Sequence, residues 1–156
     1  MSERGDAGWR KHAKALIAVF LVALALRVSY VLYGGLTLPP DTDSYVRIAD
    51  NLSSSAGYSL IPGIPTAYRP PAYPVFILLV KILFGGNWAV IWAQCLLGAL
   101  VPVLTAILSK RVIGGSHALA AAWIVALDPY LIAVSDAFMT EALFAFLVVG
   151  REKLDV

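Results

Sequence analysis

Acids and arginines gather at two places in a chain that is otherwise hydrophobic almost end to end. Asp41, Asp43, Arg47, Arg69 and Tyr73 fall in one polar interval from Asp41 to Pro74, and Asp136 and Glu141 fall in a second, much later one. A carboxylate can take the proton of an attacking hydroxyl, and an arginine offers paired donors to a phosphate. A divalent ion would supply the same positive charge, with Asp41 and Glu141 as its candidate ligands. If the two intervals meet, these residues make a phosphate or metal site. Each also has a purely structural reading. Asp41 can be the N-cap of a loop helix, and Asp43 with Arg47 an i,i+4 surface pair. Arg69 and Tyr73 can be anchors at a membrane interface, and Glu141 part of a helical first turn after Thr140. Asp128 and Asp136 read as cap or turn residues.

The elements that must position these groups are membrane elements. Of 156 residues, 60% are hydrophobic and only 14% charged, which excludes an ordinary soluble domain. The net charge of +2, without a basic tract interleaved with aromatics, gives no reason to expect nucleic acid as a partner. Cys95 is the one cysteine and lies in an apolar run, so it reads as a packing residue. Residues 1–14 carry Arg4, Arg10, Lys11, His12 and Lys14, and the apolar run Ala15 to Tyr33 follows. The positive-inside rule then places the N-terminus in the cytoplasm. At 1.5 Å per residue that run reaches about 28 Å, enough to span. Arg27 interrupts it near its outer end, as a snorkelling anchor or a cation for a lipid phosphate. A cleavable signal peptide ending near Ala23-Leu24-Ala25 is the rival reading of this segment.

The expected outer loop covers 34–87. Pro39-Pro40-Asp41 stops one helix and starts another, and Tyr45, Ile48 and Leu52 recur at helical spacing, which predicts a short amphipathic helix over 43–52. The segment through Pro62, Pro65, Pro70 and Pro71 should be extended, with little helix or strand. Residues 72–84 are apolar but reach only about 20 Å as a helix, and Lys81 sits near their end. Keeping them on the outer side puts Lys110 and Arg111 in the cytoplasm, so they read as re-entrant or interfacial. After the Gly85-Gly86-Asn87 break, Trp88 to Leu108 is a span, with Trp88 and Trp92 in the outer aromatic belt and Pro102 placed to kink it. A cytoplasmic loop from Ser109 to Ser116 leads to a further span that starts at His117 and loosens at Asp128-Pro129-Tyr130. The run from Ala142 to Gly150 is an incomplete span. The polar ending 151–156 reads as the tail of a truncated chain.

One order of motifs has a counterpart among known proteins. Asp41 and Tyr45 in D-x-x-x-Y, a glycine-aromatic loop, R-P-P-A-Y-P opening an apolar helix, the G-G-N break, two spans joined by a basic loop, D-P-Y, and T-E-A-L-F follow one another. Over about 15–150 this resembles the N-terminal third of GT-C glycosyltransferases, closest to the protein O-mannosyltransferases and the lipid A aminoarabinose transferases. The resemblance implies an all-α polytopic membrane protein with juxtamembrane helices in its outer loop, in the cytoplasmic (inner) membrane. It implies a hexosyl- or pentosyltransferase that takes a sugar from a polyprenyl-phosphate carrier to a protein or glycolipid acceptor on the outer face. Its essential acid falls on Asp41, its arginine-proline motif on Arg69 to Pro71, and its second-loop acid on Glu141. Asp43, Tyr45, Arg69 and Tyr73 then fall to substrate binding. Where many relatives have glutamate after the first aspartate, this chain has Thr42. As the N-terminal part of such an enzyme, the chain is expected to be inactive by itself. The alternative is a non-catalytic membrane protein that binds prenyl lipid or a partner's helices.

Overall fold

A computed structural model describes residues 3–112 and 115–151. The polar tail 152–156 and the side chains of the basic cluster Arg4 to His12 lie outside the described residues. The architecture is helical. Helix α1 is Glu3–Tyr33 and α4 is Gly86–Val112. Their apolar stretches, Ala13–Tyr33 and Gly86–Lys110, hold 21 and 25 residues. At 1.5 Å per residue these reach about 31 and 37 Å, so both are long and apolar enough to cross the roughly 30 Å hydrocarbon core. Their outward side chains are what lipid solvates best: Ile17, Leu21, Leu32 and Leu96 are all exposed.

Helix α4 is the centre of the bundle, packed against α1, against α5 (Gly115–Ala126) and against α7 (Glu141–Arg151). It starts at Gly86 and ends at Val112, beyond the expected Trp88 to Leu108 at both ends, and it continues past Pro102. The break expected at Asp128-Pro129 is present. Helix α5 ends at Ala126 and α6 (Pro129–Ala133) begins after Asp128, whose Oδ1 accepts from Leu131 N at 2.9 Å. Pro129 has no N–H and fits the first helical position, so the chain restarts there at an angle of 49°. Counted as one broken unit, His117–Ala126 with Pro129–Asp136 would be a third candidate span.

Between α1 and α4 lie the elements of the polar interval. Helix α2 is Tyr45–Ser53, burying Tyr45, Val46, Ile48 and Ala49 and exposing Arg47 and Asp50. It starts two residues later than the spacing predicts, because Ser44 takes a left-handed conformation (φ 62°) that ends the preceding turn. A small antiparallel hairpin follows, β1 (Ser59–Ile61) with β2 (Ile64–Pro65), turned at Gly63. Helix α3 is Ala72–Phe84, with the limits its flanking prolines and glycines predict. Its 13 residues amount to about 20 Å. One face (Tyr73, Ile77, Val80) packs on α2 and α4, and the other leaves Leu79, Ile82, Leu83 and Phe84 exposed. Gly85 and Gly86, both at positive φ (79° and 70°), turn the chain directly into α4.

Candidate functional site

Asp41 sits just ahead of α2 and spends its carboxylate on the helix start. Its Oδ1 accepts from Val46 N at 3.1 Å and its Oδ2 from Arg47 N at 2.9 Å. The first N–H groups of a helix have no partner within it, so this contact fixes the angle at which the loop enters α2. The capping reading of Asp41 is therefore realised, from a position upstream of the usual one. The remaining lone pairs of both oxygens stay available, and the residue is half-buried.

Asp43 does not pair with Arg47. With the helix beginning at Tyr45, Asp43 lies in the turn, and its carboxylate forms an ion pair with Nη2 of Arg69. Arg69 Nε also donates to the Asp43 carbonyl at 3.2 Å, and its guanidinium lies 4.5 Å from the Tyr68 ring centroid and 5.3 Å from that of Tyr45. A planar fork stacked between rings and tied to one residue twice is a use that lysine could not copy. Arg69 is thus a clamp across the loop. The Tyr58 hydroxyl donates to its carbonyl at 2.8 Å and holds the same segment.

Tyr73, expected as an interface anchor or substrate contact, is 1% exposed. Its ring meets that of Tyr45 edge-on at 4.9 Å, and its hydroxyl donates to Oε1 of Gln94 on α4. Burial pushes its phenol well above the ordinary range, and Glu141, Tyr45 and Asp41 push it in the same direction. One acid from each polar interval thus contributes to raising the same phenol. Phe138 lies in the same buried cluster as Tyr45, Tyr73 and Cys95, which brings the turn after α6 against α2 and α3.

The second interval supplies two carboxylates with spare capacity. Glu141 opens α7 and accepts from the Tyr130 hydroxyl at 3.2 Å through Oε1, while its buried Oε2 has no partner. Asp136 ends a short 3-10 turn (Val134–Asp136), and its buried Oδ1 is likewise unpartnered. A Cβ on Gly34 would stand 3.1 Å from Asp136 Oδ2, so the glycine after α1 lets that carboxylate sit close to the backbone. Among the described residues no three His, Cys, Asp or Glu side chains cluster as metal ligands. A cation at this end would draw on at most two carboxylates, supplemented by backbone, amide or water oxygens.

Two residues of this region carry more than their sequence positions indicate. Gln94, inside the apolar stretch of α4, is 0% exposed and uses all its polar capacity. It accepts from Tyr73 and donates through Nε2 to Ala137 O at 2.7 Å and Ser135 O at 3.4 Å. A polar side chain in the middle of an apolar helix was the available signal. Arg27 corrects the snorkelling expectation. It is 1% exposed, packed against Gly98 of α4, with Nη1 donating to Ala23 O at 3.0 Å and Nε without a partner. A cavity of about 10 Å³ adjoins it, lined also by Gly98, Val101, Leu131, Val134 and Ala142, with no carboxylate in its walls.

Comparison with models of known protein families, with curated proteins and with solved structures finds no match to this chain.

Proposed function

We propose that this chain works in glycosyl transfer on a membrane, in the manner of the GT-C enzymes, moving a sugar from a polyprenyl-phosphate carrier to a hydroxyl of a protein or glycolipid. The observation that carries the reading is the meeting of the two polar intervals: Phe138, in the turn ahead of Glu141, is buried in one cluster with Tyr45 and Tyr73, which follow Asp41. In the proposed step the acceptor hydroxyl attacks C1 of the sugar and gives its proton to a carboxylate. The bond from C1 to the phosphate oxygen breaks, and its electron pair leaves with the phosphate. Asp41 is that base or positions it, with Glu141, whose Oε2 lacks a partner, as the second carboxylate. Arg69 has Nε and Nη2 committed to Asp43, which leaves Nη1 to meet a phosphate oxygen. Asp41→Asn keeps one capping oxygen and removes the base, so in a full-length enzyme that carries this sequence as its N-terminal part, transfer from a labelled polyprenyl-phosphate sugar in membranes should fall by roughly 100-fold or more. Undiminished transfer rejects the role.

The arrangement in the membrane belongs to the same proposal. The N-terminus is cytoplasmic, α1 and α4 cross, α3 lies in the outer leaflet without crossing, and both acid-bearing turns face the outside of the cytoplasmic membrane. Cysteines introduced at Ser55 and Ser109 should label from opposite sides, and labelling from one side refutes the arrangement.

The internal engagement of Asp43, Arg69 and Tyr73 favours a second reading, a non-catalytic membrane protein that holds prenyl lipid or partner helices against its exposed apolar faces. Retained lipid binding together with no transfer in a longer protein that carries this sequence as its N-terminal part would select it.

A further inference from the structure

Gln94 stands at a junction that neither the acids nor the apolar packing accounts for. Its amide oxygen holds Tyr73 of α3, and its amide nitrogen holds two carbonyls of one turn, Ser135 O and Ala137 O. Glu141 follows Ala137 by four residues, and Asp41 precedes α2, whose Tyr45 packs edge-on against Tyr73. The hydrogen-bonded route from one acid to the other passes through this buried amide, beside the apolar contact that Phe138 makes in the same cluster. Burying an amide within a membrane-spanning helix is costly unless every polar atom is satisfied, and here every one is.

We infer that Gln94 is a positioning residue, the latch that sets the separation of the Asp41 turn from the Glu141 turn. The inference rests on the shared-site reading above only for its use, because the latch itself is a matter of geometry. Packing alone does not replace it. Leucine of similar volume would leave the Tyr73 hydroxyl and the Ser135 carbonyl buried without partners, so the 134–140 turn would be released from α3 and α4. Glutamate has nearly the shape of glutamine but serves only when protonated, since the neutral acid can accept from Tyr73 and donate to Ala137 O while the carboxylate can only accept. The ionisable groups around it are Tyr73 on α3, which feels Glu141, Tyr45 and Asp41, and Arg27 on α1 and Asp136, both within electrostatic range of the adjacent Cys95.

The test measures the separation directly. Spin labels are placed on the exposed Thr42 and on Met139 as cysteines in a Cys95→Ala background, and their distance distribution is read by pulsed electron resonance in lipid nanodiscs. The unaltered position 94 should give one narrow distribution, and Gln94→Leu should broaden it roughly twofold or more. Gln94→Glu should match the narrow distribution at about pH 5 and broaden by about pH 10, the range in which a buried glutamate ionises. A Gln94→Leu distribution as narrow as the original, or a Gln94→Glu distribution indifferent to pH, overturns the inference. Because no sugar transfer is measured, a failure here leaves the catalytic proposal to its own test. Loss of transfer in Asp41→Asn says nothing for or against the latch.

Discussion

The two ends of the bundle are packed on opposite plans. Around the middle of α1, the fully buried cluster is alanine with one valine: Ala23, Ala99, Ala106, Ala122 and Ala126 with Val19. Small side chains let helix backbones approach closely, which is how helices hold together where lipid removes any hydrophobic gain from their association. At the other end the cluster holds Val31, Tyr45, Tyr73, Ile77, Val80, Ile91 and Phe138, and it is threaded by polar contacts from Arg69, Gln94 and Lys81. One end is a scaffold of small side chains, with Leu16, Phe20 and Trp123 packed around it. The other is a built platform in which bulky side chains space the elements and hydrogen bonds fix them, and the candidate acids stand only there.

If that contrast is real, removing volume should hurt one end and adding volume the other. Ile77→Ala empties a fully buried position between α3 and α4 and should destabilise by about 2–5 kcal/mol. Reversible unfolding in mixed micelles, followed by tryptophan emission, measures it, and a change within error would mean that the platform is not packed as described. Ala122→Leu forces added carbon into the scaffold at a position with no exposure and should cost about 1–3 kcal/mol by the same measurement. A neutral result would show that α4 and α5 are free to separate. The smallest effect is expected at the Lys81–Asp50 ion pair that joins α3 to α2, where Asp50 is about half exposed. Asp50→Asn should change stability by no more than about 1 kcal/mol, and less in high salt.

The elements were legible wherever the chain punctuates itself. Pro70-Pro71 and Gly85-Gly86 bound α3 at the residues expected, and Asp128-Pro129 marks the elbow between α5 and α6, because missing N–H groups and positive φ act locally. Tyr45 and Ile48 announced the buried face of α2 by their spacing, although its first turn was misplaced. From that misplacement followed the wrong partner for Asp43, since an i,i+4 pair presumes both residues on the helix. The clamp between Asp43 and Arg69 joins residues 26 apart, and nothing local encodes it. Arg27 misled for a different reason. Snorkelling assumes freedom to bend toward the headgroups, whereas Gly98 leaves on α4 a hollow that receives the guanidinium, and such a hollow depends on two helices at once.

The bond between Tyr73 and Gln94 also bears on how such chains can diverge. Losing Gln94 strands the Tyr73 hydroxyl and the Ser135 carbonyl together, so exchanging both residues for apolar ones of like shape still leaves that carbonyl buried without a partner. Among descendants of a common ancestor the glutamine should consequently be kept more strictly than the tyrosine, with phenylalanine at 73 tolerated more often than leucine at 94.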